Sequence, residues 1–173
     1  MNNILTAIEV KLLKDIGMVI DENKINQIIE QAQITDLKNA LGDRFYFDLL
    51  NNLETEKYQL LLNGSSFTYF EINYYHDGIK ALLSDYFMSK YVLQVNTNFT
   101  PFGATVKLSE NSEPADRNSL KDISTQQLQL AGARLEIIKM YLNSRTDIFP
   151  EWHNNIYGSD STPSERTFRF RKI

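Results

Sequence analysis

The sequence has no cysteine among its 173 residues and only two histidines, His76 and His153. The lack of cysteine excludes a disulfide scaffold, a thiol nucleophile and a thiolate metal site. Neither histidine has a second histidine at ligand spacing, so a zinc site is not expected. Purely apolar runs are about three residues long, whereas a membrane-spanning helix needs about 20. The N-terminus also lacks the basic start and apolar stretch of a signal peptide. We therefore expect a soluble protein without a membrane segment.

Motifs of common catalytic sites are also lacking. The 7 glycines form neither a phosphate-binding loop nor a Gly-x-Ser-x-Gly elbow. The carboxylate pairs Asp43 and Asp48, and Glu54 and Glu56, fall in first turns of predicted helices, where helix-dipole and capping roles explain them. We therefore predict no catalytic, cofactor-binding or metal-binding residue, and a protein that is not an enzyme. The alternative, if the protein is an enzyme, is a metal-dependent hydrolase or nuclease that uses Asp43 or Asp48.

The composition is that of one globular domain with attachments. Hydrophobic residues make up 42%, which is too many for a disordered chain, and the length suits a single domain. The net charge of −4 argues against a general nucleic-acid binder, because neutralising phosphates requires a basic surface. Aromatic residues make up 12%, with 9 Tyr and 10 Phe, which is more than a small helical core usually needs.

Most of the chain has the period of amphipathic helices. Thr6 and Glu9 form a capping box for a first helix that reaches Ile16. Asp21 is the predicted N-cap of a second helix, which ends at Gly42. The further predicted helices, the first of them capped by Asp43, cover residues 43–53, 55–62, 75–95 and 120–142. The predicted fold is therefore mainly α, a bundle of about four to five helices.

Apolar spacing identifies the faces that should pack. One face of the second helix holds Ile25, Ile28, Ile29, Ala32, Leu37 and Leu41. The seam of the last and longest helix holds Leu128, Ala131, Leu135, Ile138 and Leu142. Between the helices, the alternation of Phe67, Tyr69 and Ile72 indicates a strand or an extended loop within residues 65–74.

Two segments do not have a helical period. Residues 96–119 contain Pro101, Gly103 and Pro114 and one alternating piece, so we predict a long projecting loop that includes a β-hairpin. Residues 144–173 are predicted to be an extended C-terminal tail. The domain organisation is therefore a helical domain of residues 1–143, carrying the loop, followed by this tail.

The end of the tail is basic and aromatic. Four cations against Glu165 give residues 163–173 a net charge of +3, which leaves −7 for the other 162 residues. As a strand, this arm would place Phe168 and Phe170 on one face and Arg169 and Arg171 on the other. Such a strand would gain hydrogen bonds by adding to a sheet edge of a neighbouring molecule. The alternatives are a frayed basic tail in solvent and a nucleic-acid contact. The predicted partner-binding residues of the arm are Arg166, Phe168, Arg169, Phe170 and Arg171.

Several segments, in order, carry a family resemblance. One runs over residues 28–50 and includes Leu41-Gly42-Asp43 before the aromatic helix. The others are residues 58–64, 78–87, 100–107 and 141–142. Together they resemble the head–tail connector (adaptor or head-completion) proteins of tailed bacteriophages, in the version found in phages of Bacteroides, including the crAss-like group. The similarity spans roughly residues 20–153, so it leaves out the start of the chain and the basic arm.

The resemblance implies a structural role. Connector subunits form a ring, expected here to be a homododecamer, which lies under the portal protein in the virion, extends the DNA channel and joins tail or further ring proteins. The family has no catalytic residues, and no cofactor is implied. The matching loop suggests a partner-binding role for Thr100, Pro101, Phe102, Gly103 and Lys107. Assembly in the host cytoplasm is expected.

Charge and aromatic placement agree with a ring. A body of charge −7 that lines a channel would repel DNA phosphates and let DNA pass without specific binding. Five rings on helix faces are assigned to the core, namely Phe45, Tyr46, Tyr86, Phe87 and Tyr91. Rings in loops and the tail are assigned to contacts between subunits, namely Phe67, Tyr69, Tyr74, Phe99, Phe102, Trp152, Phe168 and Phe170. The alternative function is a small helical protein-interaction module, regulatory or scaffolding, that uses the Pro101 loop and is monomeric or dimeric.

Overall fold

The structure is a computed structural model that describes residues 3–16, 21–94, 97–100, 103–106 and 116–152, with backbone alone for 97–100 and 103–106. The fold is mainly helical, as predicted. Its helices are α1 (Ala7–Leu13), α2 (Glu22–Ala32), a π-helical segment (Gln33–Leu37), α3 (Lys38–Leu41), α4 (Asp43–Asn51), α5 (Glu56–Asn63), α6 (Gly78–Gln94) and α7 (Arg117–Asn143). Its strands are β1 (Ser65–Tyr69), β2 (Ile72–His76), β3 (Thr97–Thr100) and β4 (Gly103–Val106).

The predicted start of α1 is confirmed. The Thr6 hydroxyl accepts from the Glu9 backbone N–H at 3.3 Å, and the Glu9 carboxylate accepts from the Thr6 N–H at 2.9 Å. These two bonds satisfy donors that the first helical turn leaves open. The helix ends at Leu13, one turn before the predicted Ile16. The capping role of Asp21 is also confirmed, because its carboxylate accepts from the backbone N–H of Asn23 at 2.9 Å.

The second predicted helix is interrupted by the π-helical segment. All six residues of its predicted apolar face are buried. The wider turn accompanies a fully buried Gln33, whose side chain bonds the backbone N–H of Ile4 at 2.9 Å and the hydroxyl of Tyr46 at 3.2 Å. The helix ends at Gly42, which has a φ of 77°. The predicted Asp43 cap is wrong, since Gly42 occupies the cap position without a side-chain hydrogen bond.

Helix α6 lies at the centre and contacts α1, α2, α5 and α7. It is buried along most of its length, as expected for a helix with partners on several sides. On α7, Ala131, Ile138 and Leu142 of the predicted seam are buried and Leu135 packs against the core. The assignment of Leu128 to this seam is wrong, because 44% of this residue is exposed.

Strands β1 and β2 form an antiparallel hairpin, so the strand alternative for residues 65–74 is confirmed. The prediction of a helix from residue 75 is wrong, because Tyr75 and His76 end β2. The chain then turns at Gly78, where φ is 88° and a Cβ would clash with the backbone carbonyl of Leu62. Strands β3 and β4 form a second antiparallel hairpin, which confirms the one predicted inside residues 96–119.

Residues after α7 pack back onto the body. Phe149 and Trp152 are 1% and 4% exposed and belong to the hydrophobic core. The assignment of Trp152 to contacts between subunits is therefore wrong, and the same holds for Phe67, which is 4% exposed. The basic end of the predicted tail lies outside the described residues.

Candidate interaction surface

The structure describes part of the predicted binding loop. Thr100 and Gly103 are paired at the closed end of the β3–β4 hairpin. The other loop positions, Pro101, Phe102 and Lys107, lie outside the described residues. All five predicted arm residues, from Arg166 to Arg171, lie outside them as well. These binding roles therefore stay predictions, and the described residues provide other surfaces.

Inside the body, the aromatic side chains form a continuous chain of ring contacts. Trp152 meets Phe45 at a centroid distance of 5.5 Å, and Phe45 meets Phe149 at 6.0 Å. Phe149 contacts Tyr141 of α7 at 5.9 Å, and Tyr141 contacts Phe67 of β1 at 5.4 Å. Such tilted and edge-on pairs stabilise beyond their buried area. Much of the aromatic content thus serves to join α4, α7, the hairpin and residues 144–152.

His76 is part of this chain rather than a metal ligand or base exposed to solvent. Its ring lies 4.3 Å from that of Tyr141, and its Nε2 is 2.9 Å from the Ser65 hydroxyl. Its Nδ1 is buried and has no hydrogen-bond partner among the described residues. Burial, helped by Arg145 and opposed by Asp77, lowers the pKa of His76 to about 4. The imidazole is therefore neutral at physiological pH and packs as an aromatic ring.

The chain of ring contacts ends with Tyr74, whose ring stacks on Phe67 at 5.6 Å, and further apolar side chains follow on the same face of the hairpin. The cross-strand pairs place Phe67 with Tyr74, and Tyr69 with Ile72, on the face that begins at the buried His76. Burial falls steadily along this face: Phe67 is buried, Tyr74 and Tyr69 are half-buried, and Ile72 is exposed. The described residues cover only the end of this face that is near His76. Its outer end, at Ile72, is an exposed apolar surface.

Phe70 at the tip of the hairpin is 81% exposed and conformationally strained. It forms a two-residue turn with Glu71, and the two φ angles are 46° and 65°. A turn with positive φ at both positions favours Asn-Gly, and a bulky residue there costs about 1–3 kcal/mol. The ring of Phe70 contacts Tyr69 at 4.4 Å. A strained, exposed ring at a projecting tip is typical of a contact site.

Two further clusters of exposed apolar residues lie on helices. On α1, Ile8 and Leu12 are one turn apart and face outward, with Leu12 82% exposed. The N-terminal half of α7 exposes a second cluster, which consists of Ile123 and Leu130, two turns apart on one face; Leu128 is also exposed but lies on another side of the helix. Single exposed apolar residues are ordinary, whereas grouped ones are candidates for contacts with other molecules.

A shallow groove of about 230 Å³ adjoins the first of these clusters. Its apolar lining consists of Leu12, Leu13, Leu62 and Ala81, and its polar rim of Glu9, Asn63, Asp77 and Lys80. Small-molecule sites usually measure about 300–1,000 Å³. The groove therefore suits one or two side chains of a partner better than a substrate.

A buried ion cluster, which the sequence interpretation missed, fixes α1 and α7 to α6. The Asp85 side chain is fully buried and accepts from Lys14 and, at 2.5 Å, from Arg134. Arg134 also binds Asp77 at 2.8 Å, and Lys14 binds Gln127 at 3.0 Å. Burial alone would lower the pKa of Arg134, but its hydrogen bonds to the two aspartates raise it overall. The signal for this cluster in the sequence was one aspartate, Asp85, inside an apolar helix.

Asp43 and Asp48, two of the four carboxylates considered for chemistry, have structural partners. Asp43 is exposed and pairs with Lys38 at 3.4 Å. Asp48 accepts from the Tyr58 hydroxyl and from the Asn52 amide at 2.9 Å. Within the described ranges, no three His, Asp or Glu side chains are grouped so that they could hold a metal ion. None of the described helices is long and apolar enough to span a membrane.

Comparison with known proteins identifies a family. Residues 37–162 match a family of unknown function, DUF6712. The match covers well over half of the sequence, so the chain belongs to this family. Neither the search of curated proteins nor the search of solved structures gave a match.

Proposed function

We propose that this protein is a structural, non-enzymatic subunit of the head–tail connector of a tailed bacteriophage. Its copies form a ring, expected to be a dodecamer, between the portal and the tail or further ring proteins of the virion. The ring extends the channel through which DNA passes without specific binding. The ordered resemblance over roughly residues 20–153 suggests this role.

The observation that carries the proposal is the unfinished apolar face of the β1–β2 hairpin. Its apolar side chains begin in the core with Phe67 and end at Ile72, next to Phe70 in the turn, and the described residues leave Ile72 and Phe70 exposed. A subunit of a ring needs one surface that projects and another that receives it, because heterologous contacts close around an axis. The exposed clusters on α1 and α7 provide further surfaces for such contacts.

The first experiment measures assembly of the full chain. We expect sedimentation velocity at increasing concentration to give a large oligomer, and negative-stain images to show rings with a central channel. The substitution Phe70→Ser should raise the dissociation constant at least about tenfold, as expected when an aromatic hot spot is removed. Neighbouring portal, capsid and tail genes would support the same conclusion.

Phe47→Ser is the matched control. Phe47 is also an exposed phenylalanine, 50% accessible, but it lies on α4 outside the three apolar clusters. Its loss should leave assembly unchanged. Equal effects of the two substitutions would contradict a specific role for the hairpin.

The second candidate is a small helical protein-interaction module. The same exposed clusters suit it, but it would remain a monomer or dimer at every concentration and with added portal protein. Such a result would overturn the ring proposal.

A further inference from the structure

The β1–β2 hairpin is a two-stranded sheet with two open edges. No backbone hydrogen bond between described residues reaches either outer edge. The two-residue turn makes Tyr69 and Ile72 a hydrogen-bonded pair. Alternation then directs the backbone groups of Ser66 and Thr68 outward from β1, and those of Asn73 and Tyr75 outward from β2. Because an open edge is a template for pairing, a third strand would stabilise this sheet.

We infer that the strand that pairs with this hairpin is the C-terminal arm, residues 167–171, of a neighbouring copy. This inference rests on the proposed function, in which copies of the chain assemble. The strand that the sequence predicts for the arm would then pair with a specific acceptor, an open edge of the β1–β2 hairpin. The acceptor is formed entirely by described residues.

Length and alternation of the arm match those of the hairpin. The arm has five alternating residues, and β1 and β2 have five residues each, whereas β3 and β4 have four. On β1, Phe67 and Tyr69 lie on one face and Ser66 and Thr68 on the other. A third strand that follows this pattern places the two arm phenylalanines beside these rings and the two arginines on the polar face. Such same-face cross-strand neighbours stabilise a sheet.

Charge favours the same pairing. Between Gly64 and Lys80, the charged residues are Glu71 and Asp77, both acidic, and His76 is neutral at physiological pH. Asp77 is bound by Arg134, whereas exposed Glu71 forms no ion pair with the described residues. The arm brings two positive charges, those of Arg169 and Arg171. Glu71 can therefore accept an arm guanidinium at the tip of the hairpin.

The chain outside the described residues is long enough to reach a neighbour. It leaves the body at Trp152, which is packed beside Phe45. The residues between Trp152 and the arm span up to about 50 Å when extended. A strand passed from each copy to the next would repeat one contact around a ring.

The test uses the lack of cysteine in the natural chain. One full-length variant carries Arg169→Cys in the arm. Two others carry Thr68→Cys on β1 or Asn73→Cys on β2, which face each other across the hairpin. Directly paired strand residues have Cβ atoms about 4.5–5.5 Å apart, close to disulfide distance. After mild oxidation of a mixture, we expect a disulfide between chains through position 68 or position 73, and the reactive position identifies the edge.

Two controls accompany the mixture. Thr125→Cys, at an exposed position on α7, should not react with the arm. Exchanging the neighbouring Phe170 and Arg171 (F170R/R171F) in the Arg169→Cys chain keeps composition and charge but breaks the alternation. This exchange should lower the disulfide yield about fivefold.

The outcomes separate this inference from the proposed function. Rings without a disulfide at either edge would overturn the strand pairing and leave the connector role. A further variant carries Arg169→Cys together with Thr68→Cys or Asn73→Cys. If a disulfide forms within this chain but none forms between chains in the mixture, the passing of the arm from one copy to the next would be overturned. The third outcome is a disulfide between chains whose yield falls in the F170R/R171F variant, in a protein that forms no ring-shaped oligomer. It would keep the strand pairing and overturn the proposed ring.

Discussion

Phe149 lies among the aromatic side chains of the core and Phe70 lies at the tip of the β1–β2 hairpin, and their surroundings are opposite. Phe149 is 1% exposed and touches the rings of Phe45, Tyr58 and Tyr141. Phe70 is 81% exposed and touches only its neighbour Tyr69 among the described rings. The ring of Phe149 stabilises the fold of one subunit. Phe70 occupies a strained turn, and its ring gains no comparable stabilisation from burial. The difference teaches that burial explains only the inner aromatic residues, and we propose that the outer ones serve assembly.

The comparison is sharpest in a pair of alanine substitutions. Phe149→Ala should lower the free energy of unfolding by about 4 kcal/mol, because it leaves a cavity among rings. Phe70→Ala should change it by less than about 0.5 kcal/mol, as expected for an exposed position. Chemical denaturation of both variants, at a concentration where the chain is monomeric, measures the two values. Similar losses would contradict the division between the two regions.

A second substitution tests whether the inner region also depends on its buried charge. Asp85→Ala leaves Lys14 and Arg134 without their shared carboxylate and should destabilise the fold by about 3 kcal/mol. This is the low end for a broken buried pair, because Gln127 and Asp77 still bind the two cations. Chemical denaturation checks the value, and Asp43→Ala, which removes an exposed pair, should cost at most about 1 kcal/mol. A loss at Asp85 no larger than at Asp43 would show that the cluster does not hold the helices.

A third prediction concerns pH at the base of the hairpin. The pKa of His76 is about 4 in the fold and 6.5 unperturbed, so between these values the unfolded chain binds the extra proton. Stability should therefore fall as pH drops through this window, by about 2 kcal/mol from pH 7 to pH 5. Unfolding of the wild type and of His76→Phe at both values measures the effect. Most of the pH dependence should disappear in the variant, and its persistence would place the titrating group elsewhere.

Local patterns predicted the elements that depend on local interactions. The capping box at Thr6, the cap at Asp21 and the apolar face from Ile25 to Leu41 follow from spacing alone, and all three are confirmed. The β3–β4 hairpin was also predictable from alternation around Gly103.

The features that sequence interpretation missed depend on contacts between distant residues. Trp152 lies in a segment without periodicity, and its burial depends on Phe45, more than one hundred residues earlier. Asp85 has the appearance of an interruption in an apolar helix until Lys14 and Arg134 are placed beside it. The exposure of Phe70 likewise follows only from the three-dimensional structure, because it depends on which residues pack around the hairpin. The sequence interpretation therefore assigned Tyr69 and Tyr74 of the candidate surface to contacts between subunits, but it did not single out Phe70 at the tip.

The most direct test replaces the strained turn by its favoured sequence, Phe70→Asn with Glu71→Gly. Because Asn-Gly fits positive φ at both positions, the account predicts a monomer more stable by about 1 kcal/mol that no longer assembles. Unfolding and sedimentation velocity of the same sample provide both readings. A variant that is less stable than the wild type, or that assembles equally well, would contradict the claim that this tip serves assembly rather than folding.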